Sequence, residues 1–93
     1  MRFHDRDIEG FWDNPAKAPR RVPPELRKVL YRKLQMLDAA TSLDDLRIPP
    51  GNRLERLVGD RAGMYSIRVN NQWRICFSWN GHEAEGVGFD DYH

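Results

Sequence analysis

Ninety-three residues with 40% hydrophobic and 31% charged side chains suit one small soluble domain spanning 1–93, near the size at which a single core only just suffices. This balance excludes a disordered chain, and no apolar run approaches the roughly 18 residues a membrane-spanning helix needs. The net charge is only +1, so any attraction to nucleic acid has to come from a local patch.

In chain order, a short strand at Arg2-Phe3 precedes Asp5, a residue suited to cap a first helix. Ile8, Phe11 and Trp12 follow at spacings of three and four, giving that helix one apolar face, and Asn14-Pro15 ends it. A basic link, Pro19-Arg20-Arg21-Val22-Pro23-Pro24, leads to a second helix with proline in its first turn, where a missing N–H costs nothing. Leu26, Val29, Leu30, Leu34 and Leu37 form its apolar stripe, and Arg27, Lys28, Arg32, Lys33 and Gln35 cover the rest. From Lys17 to Lys33, seven basic residues stand against Glu25 alone. Such a run is either a solvated helix face or a footprint for phosphates, and charge alone does not decide. Ser42 and Asp45 have the spacing of a capping box for one further turn, and Arg47-Ile48-Pro49-Pro50-Gly51 reads as a loop.

The remainder reads as strands. Leu54–Leu57 is the first, closed by the turn Gly59-Asp60-Arg61-Ala62-Gly63. Met64–Val69 alternates, with Tyr65, Ile67 and Val69 on one side; Trp73, Ile75, Phe77 and Trp79 form the apolar side of the next strand. Asn80-Gly81 marks a hairpin, and a last strand runs from about Glu83 to Asp90. The three tryptophans are expected in the core, and His4 and His82 on the surface.

Matching apolar faces fixes register, because a one-residue slip sends every side chain to the wrong side. Val69 opposite Trp73 makes Asn70-Asn71-Gln72 a three-residue loop, in which asparagine tolerates positive φ. Ile67 then faces Ile75, and Tyr65 faces Phe77. On the reverse side Arg68 falls across from Arg74, an unfavourable pair unless an anion lies between them or the side chains splay apart. The closing hairpin leaves two options. A two-residue turn sets Ala84, Gly86 and Gly88 under Phe77, Ile75 and Trp73, with Asp91 and His93 on the Arg74 side. A three-residue loop pairs Val87 with Ile75 and Phe89 with Trp73, with Tyr92 on that side.

The chain closes on Asp91-Tyr92-His93, just after the arginine-bearing strand. Acid, base and cation together can cleave a phosphodiester without a metal. Arg74 suits the cation, since guanidinium binds two phosphate oxygens in a fixed fork. His93 can act as acid or base, as can Asp91 or Glu55 in a buried setting, and Tyr92 can stack on a base or donate to phosphate. Acid and base are not assigned individually. No Cys/His/carboxylate spacing suggests a metal site, and no cofactor fingerprint is present. The lone Cys76 forms no internal disulfide and is expected to pack in the sheet, with no cue for an activated thiolate. With an N-terminus lacking the apolar stretch of a signal peptide, it indicates a cytoplasmic protein.

Leu37-Asp38-Ala39-Ala40 followed by Asp45-Leu46-Arg47-Ile48-Pro49-Pro50-Gly51-Asn52-Arg53-Leu54-Glu55 resembles one half of a family signature. Gly59-Asp60-Arg61-Ala62-Gly63, Tyr65-Ser66-Ile67-Arg68-Val69, Gln72-Trp73-Arg74-Ile75-Cys76-Phe77 and Asp91-Tyr92-His93 resemble the other. The family is the HigB-type, or plasmid-maintenance killer, toxins of the RelE superfamily. The resemblance implies an α+β fold with two N-terminal helices packed on a small curved, mainly antiparallel sheet. It implies a ribosome-dependent endoribonuclease (an mRNA interferase) that cuts mRNA in the decoding site. It also implies a helix-turn-helix antitoxin of the HigA type, through which alone the toxin reaches operator DNA. Carried over, the catalytic set is Arg74, Asp91, Tyr92, His93 and Glu55. The expected RNA-binding set is Arg68, Arg56, Lys28, Arg32 and Lys33. Two positions depart from the pattern: some relatives have histidine at Glu55, and many have lysine at Val58.

Overall fold

The computed structural model describes residues 1–91, in which two helices are followed by a four-stranded antiparallel sheet. Helix α1 (Arg6–Asp13) buries Ile8 and Phe11 and ends at Asn14, whose N–H donates to the Gly10 carbonyl at 2.9 Å. Asp5 sits at the N-cap position, yet its carboxylate makes no capping bond. It turns away and accepts instead from the Phe89 N–H at 2.9 Å and from Arg21 at 2.7 Å. A tighter 3-10 turn, Pro24–Leu26, opens helix α2 (Arg27–Ala39), so Pro24 ends up in that turn, with Pro23 at its N-cap, and not in the α-helix itself. Leu30, Leu34 and Leu37 are buried, and Val29 only partly. Asp45 does cap a following 3-10 turn, Leu43–Arg47, accepting from the N–H groups of Thr41 (2.9 Å) and Ser42 (3.2 Å).

The strands are β1 (Glu55–Arg56), β2 (Met64–Arg68), β3 (Trp73–Trp79) and β4 (Ala84–Asp91), side by side in that order. One sheet face joins Ile67, Ile75, Phe77, Val87 and Phe89 to the helical residues Ile8, Phe11, Leu30, Leu34 and Leu37 in a single core. Trp12, Trp73 and Trp79 pack against that core. Burial of this kind, at about 25 cal/mol per Å² of apolar surface, is the main force holding so small a chain together. The outer edge of β4 is covered by the N-terminal residues, which run parallel to it: Arg2 and Val87 exchange bonds with Ala84 and Arg2 at 3.0 Å, and His4 N–H donates to Val87 at 2.9 Å. An otherwise open edge is thereby closed.

The β2–β3 register pairs Arg68 with Arg74, Ile67 with Ile75 and Tyr65 with Phe77, as facial matching requires. The loop Asn70–Gln72 closes differently from expectation. Neither asparagine takes a positive φ; Asn70 accepts through Oδ1 from the N–H groups of Gln72 (2.9 Å) and Trp73 (2.7 Å). β1 is shorter than the expected Leu54–Leu57, and Arg53, two residues before it, takes the left-handed region, at φ 44°.

The closing hairpin follows neither of the two registers considered above. Trp79 pairs with Ala84 across Asn80–Glu83, a bulge interrupts the ladder between Cys76 and Ser78, and Ile75 then faces Phe89. The bulge absorbs the residue that parity could not place, with Gly86 supplying the positive φ (62°) that an irregular strand needs. As a result Asp90 lies across from Arg74, while Asp91 lies across from Trp73 on the other face. Asp91 accepts there from Gln72 Nε2 at 3.0 Å.

Candidate active site

The sheet face turned away from the core carries polar residues in register. Glu55 pairs with Ser66, Ser66 with Cys76, and Arg68 with Arg74, which places all five on that face. Arg74 is its centre. Only 8% of it is exposed, an unusual position for arginine. Its Nε donates to Ser66 Oγ at 2.7 Å, and its Nη2 donates to the carbonyls of Arg53 (2.6 Å) and Ser66 (3.3 Å). Glu55, about half exposed, holds a carboxylate oxygen 3.9 Å from the same nitrogen. The guanidinium is thus oriented by the protein before any ligand arrives. Preorganised charge of this kind stabilises a developing anion with no reorganisation cost.

The loop before β1 makes this possible. Buried Asn52 donates to the Leu46 carbonyl (3.1 Å) and accepts from Lys33 of α2, anchoring Pro49–Arg53 to the helix. The next residue, Arg53, takes the left-handed conformation, which costs a non-glycine residue about 1 kcal/mol. This conformation accompanies the carbonyl that receives Arg74. Arg53, Glu55, Arg68, Asn70, Asn71 and Arg74 line a polar cleft of about 320 Å³. With three arginines against one glutamate, it is built for an anion. Arg68 donates to Asn71 Oδ1, so this second guanidinium is also steered.

The other expected site residues are distributed more widely. Arg56, one residue on from Glu55, faces the opposite side, its guanidinium 5.9 Å from the centre of the Tyr65 ring. Lys28 and Arg32 project from α2 beside Phe11 and Tyr31, at a shallow groove remote in the fold from β3. Lys33 is turned inward to Asn52, and burial, then the neighbouring Arg32, lowers its pKa. Tyr92 and His93 lie outside the described residues. Ser66, Arg53 and Asp90 are the residues that sequence reading missed. A serine on the strand partner of an arginine was a visible signal for the first; the backbone turn at Arg53 and the bulge that moved Asp90 had none.

Asp90 is paired with Arg61 at 2.6 Å. Beside them, Cys76 is buried, and its thiol is pushed up to about 12 by burial and the adjacent Asp90 carboxylate. It is a packed thiol, not a nucleophile. The end of β4 is held from below by Arg21, which donates to the Phe89 carbonyl (2.8 Å), to Asp5 (2.7 Å) and to both oxygens of Asp7 (2.6 and 2.9 Å). Burial would raise the Asp5 pKa, but hydrogen bonds from His4, the Phe89 N–H and Arg21 outweigh it and hold the carboxyl below its usual range; Arg21 does the same for Asp7. Part of the basic run is therefore consumed inside the fold.

A family model described as the RelE-like toxin of the type II toxin-antitoxin system HigB matches residues 1–93. The chain belongs to the HigB-like toxins. It is 44% identical over 92 residues to Toxin HigB-1 of Vibrio cholerae, covering 99% of this chain and 92% of that one. It is 38% identical over 72 residues to the Endoribonuclease HigB of Proteus vulgaris, covering 77% of each. An uncharacterised protein of Haemophilus influenzae is 40% identical over 72 residues, covering 77% of this chain and 71% of the other. A type II toxin implies an antitoxin as partner. In this HigB-like toxin, Val58 is 84% exposed and adds no charge, and the cleft's positive charge rests on Arg53, Arg68 and Arg74. No helix among the described residues is long and apolar enough to cross a membrane.

Proposed function

We propose that residues 1–93 act as one toxin domain, a ribosome-dependent endoribonuclease that cuts mRNA in the decoding site without a metal and so inhibits translation. The observation that carries this reading is Arg74: a nearly buried guanidinium, fixed by Ser66 and the Arg53 carbonyl, at the base of a cleft with two further arginines. In this reading Arg74 and Arg68 hold charge on the phosphorane as the 2′-oxygen attacks and the 5′-oxygen departs. Glu55 stands at the cleft to take or supply a proton, and Tyr92 and His93 complete the proton-transfer set; Asp91, expected with them, is turned to Gln72 on the other face. Lys28 and Arg32 bring the toxin to ribosomal RNA through phosphates, with Lys33 and Arg56 in lesser roles. The antitoxin is of the helix-turn-helix HigA type, and operator DNA is reached only through it; the site of action is the cytoplasm.

Mapping mRNA 5′ ends after induction tests this. Wild type should produce new ends in translated regions, and Arg74→Ala should produce none. Intact transcripts in growth-arrested wild-type cells would refute cleavage.

Val58 favours a second reading, a catalytically weak or inactive RelE-like module that acts by binding antitoxin or ribosome. Under it, Arg74→Ala and removal of Tyr92-His93 leave growth inhibition unchanged.

A further inference from the structure

The outer sheet face holds a second, larger cleft of about 460 Å³, directly beside the arginine cleft. Its floor is the outward face of β3 and β4 at Cys76, Gly86 and Gly88. Arg61 stands on the β2 side, and His4 and Asp5 on the N-terminal side. Asp90, the residue facing Arg74, closes the end toward the first cleft. Cys76 follows Arg74 by two positions on one strand, a separation of about 7 Å. The two clefts are therefore next to each other along a single surface.

Their chemistry differs in a way that separates two kinds of ligand group. Arg61 is already paired with Asp90, and Asp5 adds a further carboxylate, so this cleft has no surplus positive charge for phosphate. It offers carboxylate acceptors, guanidinium donors and a neutral, buried thiol. Gly86 leaves the floor open, with a positive φ and nothing within 4 Å of where a Cβ would stand, while at Gly88 the Asp5 carboxylate lies against the strand, 3.1 Å from the position a Cβ would take. A flat group with both donors and acceptors on its edge fits such a slot, and His4, exposed at its rim, can stack on it.

Resting on the nuclease reading, we propose that this cleft is a base-binding subsite that takes the nucleobase next to the linkage held at Arg74. It selects bases carrying amino groups (adenine, cytosine or guanine) over uracil. Asp90 keeps free lone pairs while accepting from Arg61, because a carboxylate has about four acceptor positions. An exocyclic amino group donates to such a carboxylate, whereas the N3–H donor of uracil is flanked on both sides by carbonyl oxygens that the same carboxylate repels.

The test has two arms, both on the full chain. In the first, NMR titration of the wild type with AMP, CMP, GMP and UMP should shift His4, Gly86 and Gly88 amides. Affinity for UMP should be roughly tenfold lower. Asp90→Asn should erase the difference, and Ser78→Phe, which fills the slot from another of its lining positions, should remove the shifts. Shifts confined to the Arg53–Arg68 cleft, or equal affinity for all four nucleotides, overturn the proposal. In the second arm, 5′-end mapping should show uracil depleted at one nucleotide flanking the cut, with the depletion lost in Asp90→Asn. Cleavage that persists with an unchanged base pattern in Asp90→Asn overturns the subsite and leaves the nuclease standing. Nucleotide-selective shifts with no cleavage by the wild type would leave the subsite standing and remove the nuclease.

Discussion

Arg74 on β3 and the Lys28–Arg32 face of α2 are both positive, but they are positive in different ways. Arg74 is almost wholly buried and hydrogen-bonded to Ser66 and Arg53, whereas Lys28 and Arg32 are exposed. A fixed cation in a low-dielectric pocket acts on one atom at one distance, while a solvated one contributes mainly to the long-range field. Under the proposed function, the difference assigns chemistry to the sheet and recruitment to the helix.

The largest expected effect breaks the comparison at the sheet. Arg74→Ala should lower cleavage by about a hundredfold or more. Arg74→Lys should recover little, since an ammonium cannot reproduce the fork that spans Ser66 and the Arg53 carbonyl. Single-turnover cleavage of ribosome-bound message is the measurement. If Arg74→Lys were as active as wild type, orientation would not matter and the contrast would vanish.

A smaller loss is expected at the helix. The double variant Lys28→Glu/Arg32→Glu should weaken ribosome binding by about one order of magnitude and flatten its salt dependence, with the rate of bound complexes unchanged. Lys33 is left out because it holds Asn52, and changing it would disturb the loop beneath Arg74.

A third test concerns stability. Arg21→Ala should cost about 2 kcal/mol at pH 7, since it strips the half-buried Asp5 of its cation. The folded pKa values of Asp5 and Asp7 lie below the ordinary carboxylate value of 3.8, so their stabilising contribution is complete above about pH 4. It is lost as pH falls through the lowered folded values. Urea midpoints of wild type and variant should therefore converge as the solution is acidified through that range. The smallest effect is at Cys76, which should resist iodoacetamide at pH 8 until the protein is unfolded, as its thiol titrates near 12.

Facial alternation made much of this legible in advance. It was enough to place Arg68 against Arg74 and to draw β3 over Trp73–Trp79, because a buried sheet face tolerates only one register. The leucine stripe of α2 was equally plain. What escaped was set by backbone geometry with no periodic signal. The bulge in β4 shifted the pairing so that Asp90 stands directly across from Arg74, and the left-handed turn at Arg53 produced the carbonyl that orients Arg74. The fate of the basic run also depended on tertiary partners: Arg21 found Asp5 and Asp7, and Lys33 found Asn52, from elsewhere in the sequence.

The N-terminal residues find their partners in residues 83–89: the amino group of Met1 pairs with Glu83, and Phe3 lies against Val87. Those partners follow every other element in chain order. During synthesis the opening segment therefore waits, unpaired, until the last strand has left the exit tunnel. A contact of such long sequence separation forms late.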